Sequence, residues 1–242
     1  LGEGLVHYQL GKVYQTIKQD SLALFHTQIA DSLFRKLSTA SELILALQQK
    51  SKHYLIQDEF KKALQINEEA IQYAESNNDS LALVNSWILL GNINHRLRQA
   101  DTIHFERALQ LAKRINYQKG IGNAYEALGR VEKNPVRSTD FYEKALDYYE
   151  KLSTDFFLQN KIANVYNLIA SDYYEKKDLP QVEYWLNKAL PILEKIDNQE
   201  QLAISYYYLA EIESQLNQNY DLAVSYLQKG MRHQQEVGRY FY

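Results

Sequence analysis

The chain lacks or has few of several residue types and patterns, and each absence argues against a class of structure or function. No cysteine occurs among its 242 residues, which excludes disulfides, thiolate metal sites and cysteine nucleophiles. Only 9 glycines and 3 prolines are present, fewer turn residues than a strand-rich fold needs, so a nearly all-helical chain is predicted. No run approaches the roughly 18 apolar residues of a membrane span. The net charge of −3 argues against nucleic-acid binding by this segment, because such surfaces are usually basic.

What remains is the composition of a folded domain. Hydrophobic residues make up 45% and charged residues 24% of the chain, values typical of a folded protein rather than a disordered one. The absence of cysteine fits the cytoplasm, taken here as the default compartment, and is also compatible with a periplasm. The first residue is Leu1 rather than methionine, so we expect a fragment of a longer protein.

Motifs for catalysis and cofactor binding are missing as well. The histidines form no H-E-x-x-H or other short ligand pair, and no phosphate-binding G-x-x-x-x-G-K-[ST] loop occurs. The stretch "GIGNAYEALG" (120–129) lies in a predicted helix with no preceding strand, so it is not a dinucleotide fingerprint. We therefore predict no catalytic residue, no metal ligand and no cofactor. Enzyme activity is the alternative hypothesis, with a catalytic or DNA-binding domain elsewhere in a longer parent.

One short phrase recurs along the chain. It reads "NSWILLG" (85–91), "NAYEALG" (123–129) and "NVYNLIA" (164–170), and each copy ends in a small residue that we call the first marker. Weaker copies place further first markers at residues 11, 51 and 210. Consecutive first markers lie 40, 40, 38, 41 and 40 residues apart, which indicates six repeats. The first markers are Gly11, Ser51, Gly91, Gly129, Ala170 and Ala210.

Every repeat carries a second small residue downstream, within a second amphipathic stretch. Two small residues amid Leu, Tyr and Ile at helical spacing predict two helices that meet closely. These second markers are Ala30, Ala70, Ala108, Ala145, Ala189 and Gly230. Polar breaks such as "SNNDS" (76–80) and "KIDNQ" (195–199) supply N-cap residues between helices. Pro191 lies inside "KALPILEKI", where we expect a kink or an early helix end. The predicted repeats span 4–38, 39–78, 79–116, 117–154, 155–197 and 198–237, within a single domain over 1–242.

These residues resemble the tetratricopeptide repeat, which has an aromatic residue, a Leu-Gly/Ala pair and a Tyr on its first helix, then Ala, an aromatic and Ala on its second. The clearest matches in three repeats are Trp87, Leu90 and Gly91, then Tyr125, Leu128 and Gly129, then Tyr166, Ile169, Ala170 and Tyr173. The period near forty exceeds the family's usual 34 or so residues, so this is a long-period type. The resemblance implies an all-α solenoid of six helix-turn-helix repeats, a right-handed superhelix whose first helices line a concave groove for a protein or peptide.

The recurring asparagines are the main site candidates. Asn85, Asn123 and Asn164 each stand six residues before a first marker, a position that the resemblance places on the groove wall. An amide offers a donor and an acceptor together, so it could pair with a peptide backbone. Asparagine is also about 0.6 kcal/mol less favourable than alanine in a helix, so three at one position suggest a function. The alternative is that they are solvated polar positions.

Further groove residues follow from the same offsets. They are Asn92, Asn167, Lys52, Arg96, Arg130, Tyr174 and Tyr207. Basic residues outnumber the single acidic residue, Glu126, at these positions in the first four repeats, whereas Glu175 and Glu211 lie in the last two, so the ligand could present an acidic end to the front of the stack. Scattered surface charge is the alternative.

The resulting prediction is a non-enzymatic scaffold that binds a protein or peptide, as the partner-binding or sensing segment of a bacterial signalling or regulatory protein. The alternative is a structural adaptor that assembles a complex through its convex face or ends. The chain closes on "GRYFY" (238–242), and open-ended stacks need capping for solubility. We therefore expect a longer parent or an end-to-end dimer.

Overall fold

The computed structural model describes residues 1–17, 19–99, 102–152 and 156–236, with the side chains of residues 156 and 236 left out. In these ranges the chain forms twelve α-helices and no strand, which confirms the all-α prediction. The helices are α1 Gly2–Thr16, α2 Asp20–Leu37, α3 Ala40–Ile56, α4 Phe60–Ser76, α5 Ser80–Arg96, α6 Ile103–Arg114, α7 Gln118–Val131, α8 Pro135–Tyr149, α9 Phe156–Glu175, α10 Leu179–Lys195, α11 Gln199–Gln215 and α12 Tyr220–Glu236.

Consecutive helices pack against each other in pairs such as α1–α2, α3–α4 and α11–α12. The chain divides into two compact parts, an N-terminal half (Leu1–Ala127) and a C-terminal half (Leu128–Tyr242). The boundary lies within α7. None of the helices in the described part of the chain is long and apolar enough to cross a membrane.

Helix starts follow from capping residues. The side chain of Asp79 accepts a hydrogen bond from the Ala82 amide at 2.9 Å, and Asn198 accepts one from the Gln201 amide at 3.1 Å. These two bonds satisfy backbone donors that a helix leaves unpaired in its first turn. Both residues lie in the polar breaks predicted from the sequence. Pro135 and Pro180 occupy the first turns of α8 and α10, where a missing amide proton has no cost.

Helix ends are unusual in making almost no use of glycine. A left-handed backbone occurs at eight turn residues, none of them glycine, with φ between 53° and 60°. They are Ser38, Asp58, Asn78, Arg98, Asn116, Lys177, Asp197 and Gln218.

Glycine is found instead where two helices cross closely. A Cβ atom added at Gly91 would lie 2.5 Å from the ring of Phe105, and one at Gly129 would lie 2.5 Å from the ring of Tyr142.

The core runs between adjacent repeats. In the N-terminal half, one apolar cluster joins four helices from α2 to α5; it includes Phe34, Ile44, Leu47, Ala70 and Ala82, each at most 6% exposed. Ser51 replaces the glycine of other repeats, and its hydroxyl donates to the Ala63 carbonyl at 2.7 Å. A serine is thus accommodated at a first marker because its one polar group finds a backbone acceptor.

The proline within α10 does not end that helix. The helix continues through Pro191 to Lys195, so the expectation of an early end is wrong. Pro191 itself is exposed, while Leu186 and Leu193 on the same helix are fully buried. An interior proline costs about 3 kcal/mol, and burial of a leucine contributes about 1.5–3 kcal/mol, so packing on both sides of the proline holds the helix together.

Candidate functional site

In the C-terminal half, three first helices line a pocket of ≈ 230 Å³. We call it the first-helix pocket and define it by residues of α7, α9 and α11. These are Arg130, then Asn164, Asn167, Leu168 and Ser171, then Gln201, Ile204 and Tyr208. Three residues predicted as groove positions, Arg130, Asn164 and Asn167, therefore lie together on one surface.

Asn164 has an unusual environment within this pocket. Its side-chain oxygen Oδ1 is shielded from solvent and accepts no hydrogen bond from the described residues. A shielded oxygen without a donor costs about 1–3 kcal/mol, a cost that a ligand donor would remove once the side chain turns this oxygen toward the pocket. The residue as a whole is half-buried, so one side of it remains accessible.

Asn167 lies deeper and holds two helices together. It is 4% exposed, and its Nδ2 donates to the Gln201 carbonyl oxygen at 3.3 Å and to the Gln201 Oε1 at 3.1 Å. The Ser205 hydroxyl donates to the Asn167 Oδ1 at 3.1 Å. Its amide thus forms one of the polar connections between α9 and α11, beneath the pocket surface.

Tyrosines extend the same surface toward the ends of α9 and α11. The Tyr208 hydroxyl donates to Ser171 Oγ at 3.0 Å, and the rings of Tyr174 and Tyr208 lie 5.1 Å apart. Tyr174 donates to Glu211 Oε2 at 2.9 Å, and this hydrogen bond to a carboxylate, together with burial, raises the pKa of Tyr174. A second pocket of ≈ 490 Å³ includes Tyr174, Glu175 and Gln215.

Tyr207 lies apart from this surface. It is 47% exposed and touches Tyr208 edge-on, with ring centroids 5.5 Å apart. It stands three residues before its first marker, as Asn167 does in the preceding repeat. Asn167 faces the next first helix along the chain, whereas no helix of the described chain follows α12.

The candidates of the N-terminal half are spread over three helices. Asn85 and Asn92 on α5 and Asn123 on α7 are half-buried, and Lys52 on α3 is exposed. Arg96 forms an ion pair with Asp58, and its guanidinium lies 5.3 Å from the centre of the Phe60 ring. A pocket of ≈ 490 Å³ between α5 and α6 includes Trp87 and Arg107 but none of these candidates.

Sequence reasoning missed five residues of the first-helix pocket, Leu168 among them, and two of the five carried a usable signal. Ile204 occupies the same position as Asn164, six residues before a first marker, and Ser171 occupies the same position as Asn92 and Arg130, one residue after it. Gln201 and Tyr208 had no such signal. No group of three or more His, Asp or Glu side chains that could hold a metal ion occurs within the described ranges.

Comparisons with known proteins agree with this architecture. The family model for the tetratricopeptide repeat matches residues 161–236. No curated protein matches the chain. Among solved structures, the chain is similar to BtubC from P. vanneervenii, with 16% identity, a TM-score of 0.70, and coverage of 94% of this chain and 93% of that one.

Two further structures share the fold. A Rap protein complexed with competence and sporulation factor has 13% identity and a TM-score of 0.72, with coverage of 98% of this chain and 76% of that one. A signal-transduction ATPase with a tetratricopeptide repeat sensor, from Pyrococcus horikoshii, has 14% identity and a TM-score of 0.69, with coverage of 97% and 37%. Residues 161–236 match the family model for the tetratricopeptide repeat, and the rest of the described chain consists of helix pairs of the same kind.

Proposed function

We propose that the chain is a non-catalytic scaffold that binds an extended peptide segment of a partner protein across α7, α9 and α11. The observation that carries this proposal is the shielded Asn164 Oδ1, which accepts no hydrogen bond from the described residues and lies in the first-helix pocket. A backbone amide of a bound peptide is a donor of the right kind for this oxygen once the Asn164 side chain turns it toward the pocket.

The size of the pocket favours a peptide over a small molecule. At ≈ 230 Å³ it is smaller than the roughly 300–1,000 Å³ of typical small-molecule sites. An extended peptide would place one side chain in such a pocket and continue over the tyrosines of α9 and α11. Hydrogen bonds of about 1 kcal/mol each supply only part of the roughly 8 kcal/mol that micromolar binding needs. The apolar surfaces of Ile204 and Tyr208 would then supply a larger share.

The setting that we propose is the partner-binding or sensing segment of a bacterial signalling or regulatory protein. Two solved structures with this fold support it: a Rap protein solved with competence and sporulation factor, and an ATPase whose tetratricopeptide repeats are described as a sensor. At 13–14% identity the likeness concerns the fold, so the choice of ligand rests on the pocket itself.

The test uses linear peptides selected from a random library on the wild-type chain, with affinities measured by fluorescence polarisation. Asn164→Leu removes the acceptor, and we expect it to weaken binding about tenfold, equivalent to about 1.4 kcal/mol. Asn164→Asp keeps an acceptor and should bind within about threefold of wild type, because a backbone amide can donate to either oxygen. Asn187→Leu, at an exposed position on α10, is the matched control. Equal affinities for all four proteins would contradict the proposal.

A further inference from the structure

Two apolar stripes are left exposed on the first and last helices. The first stripe consists of Val6 and Val13 of α1 and of Ile17, which follows the last residue of that helix, and all three are 54–59% exposed; we call it the head face. On α12 it consists of Tyr220, Val224, Leu227 and Met231, which are 43–63% exposed; we call it the tail face. The spacings of both stripes place their members on one side of a helix.

The head face occupies positions that are buried in the other repeats. Val6 stands five residues before its first marker and is 59% exposed, whereas the residues at that position in the other five repeats are 0% exposed. Those residues are Ala46, Ser86, Ala124, Val165 and Ser205. The position is therefore one that a preceding second helix normally covers.

The tail face shows the complementary pattern. Leu227 stands three residues before its second marker and is 43% exposed, whereas the corresponding residues of the other five repeats are at most 3% exposed. Those residues are Thr27, Asn67, Phe105, Tyr142 and Leu186. This position is normally covered by the first helix of the next repeat.

The contact between α4 and α5 shows how the two kinds of face meet. Asn67 Nδ2 of α4 donates to the Ser86 carbonyl of α5 at 3.0 Å, and Leu64 of α4 packs in one cluster with Ile93 and Leu97 at the end of α5. By position in the repeat, Asn67 corresponds to Leu227 and Leu64 to Val224. Ser86, Ile93 and Leu97 correspond to Val6, Val13 and Ile17. The head and tail faces are thus apolar versions of two surfaces that already bind each other within the chain.

We propose that the tail face binds the head face of a second copy of this chain, in a head-to-tail contact that repeats the packing of α4 on α5. The exposed Tyr207 fits the same contact, because Gln48 and Asn167 at its position reach the next first helix. Tyr207 would lie over Val6 of the second copy. Such a contact joins unlike faces, so it produces open chains of copies unless it closes into a ring.

The test compares three valine-to-glutamate variants by sedimentation velocity from low to high micromolar concentration. Val13→Glu blocks the head face, Val224→Glu blocks the tail face, and Val136→Glu changes an exposed valine of α8 that belongs to neither. All three valines are more than half exposed, so each variant should fold, as circular dichroism would verify. We expect wild type and Val136→Glu to associate into dimers and larger species, and each blocked variant alone to stay monomeric.

The decisive sample is an equimolar mixture of the two blocked variants. One retains a tail face and the other a head face, so the mixture should form a 1:1 dimer and nothing larger. Persistent association of either blocked variant alone would indicate a contact between like faces and overturn the proposal. A monomeric wild type would also overturn it. If a variant lacking residues 237–242 then associated, that segment would be the occupant of the tail face.

Discussion

Gly91 and Phe105 meet where the two helices of the third repeat cross, and a Cβ atom at the glycine would lie 2.5 Å from the ring Cε1. The same relationship joins Gly129 to the ring of Tyr142 in the fourth repeat. In the fifth and sixth repeats the first marker is Ala170 or Ala210, and the residue that corresponds to Phe105 is Leu186 or Leu227. In the third to sixth repeats, glycine thus accompanies an aromatic ring at this crossing and alanine accompanies leucine, whereas Gly11 of the first repeat faces Thr27.

This pairing predicts the effect of adding one methyl group. Gly91→Ala should lower the free energy of unfolding by up to about 2 kcal/mol, because overpacking costs about 1–3 kcal/mol and better helix propensity returns about 1 kcal/mol. Urea unfolding followed by circular dichroism would measure it. Adding Phe105→Leu to Gly91→Ala should recover part of the loss. Gly2→Ala is the control, since nothing lies within 4 Å of the added carbon.

A second recurring contact leads to a prediction about polar side chains between repeats. Gln48 Nε2 donates to the Ala82 carbonyl and to Ser86 Oγ, both at 2.8 Å. Asn167 stands at the corresponding position in the fifth repeat, and its amide nitrogen bonds the Gln201 carbonyl in the same way. One amide thus joins neighbouring first helices in both halves of the chain.

Replacing Gln48 with leucine should lower the free energy of unfolding by about 1–3 kcal/mol, because it leaves a buried carbonyl and hydroxyl without their donor. Changing Ser86 to alanine in the same protein should recover part of the loss by removing one of the two unpaired groups. A double-mutant cycle in urea measures the coupling. Additive effects of the two substitutions would show that the Gln48–Ser86 bond contributes nothing.

Repeat number and helix positions could be predicted because both small residues recur at a fixed spacing. The direction in which single side chains point could not be predicted in the same way. Asn164 and Asn167 were both predicted to be groove residues. Asn167 lies three positions further along α9, so its side chain faces α11, where it is buried. Similarly, Tyr208 rather than Tyr207 lines the pocket, because consecutive helical residues point about 100° apart. Such choices depend on where the neighbouring repeat lies, which a single repeat does not encode. The predicted end segment with Tyr240, Phe241 and Tyr242 lies outside the described residues.

An ion-pair network between the first two repeats gives a third prediction. Asp31, 5% exposed, accepts from Arg35 Nε at 2.6 Å and from Lys50 Nζ at 2.7 Å. Asp31→Asn should destabilise the chain by about 3 kcal/mol, since it leaves the ammonium group of Lys50 largely buried without its carboxylate. The double variant Asp31→Asn, Lys50→Met should be more stable than Asp31→Asn alone. The exposed pair of Lys144 and Asp140 is the control, and Asp140→Asn should cost less than about 1 kcal/mol.

The last prediction concerns pH and rests on His53. This residue is 1% exposed, neither ring nitrogen has a hydrogen-bond partner among the described residues, and burial lowers its pKa against a smaller opposing effect of Asp20. Above about pH 6.5, the usual histidine pKa, the ring is neutral in both the folded and the unfolded chain. As the pH falls below that value, the unfolded chain binds a proton that the folded chain resists, so stability falls until the folded-state pKa is reached.

The corresponding residues of the third and sixth repeats are Ile93 and Ile212, both buried. His53→Ile should therefore fold with the same helix content and lose less stability between pH 7.5 and pH 5 than wild type, as measured by urea midpoints. His95→Ile, at an exposed position on α5, should keep the wild-type pH dependence, and an equal slope in the wild-type and His53→Ile proteins would show that His53 is not the responsible group.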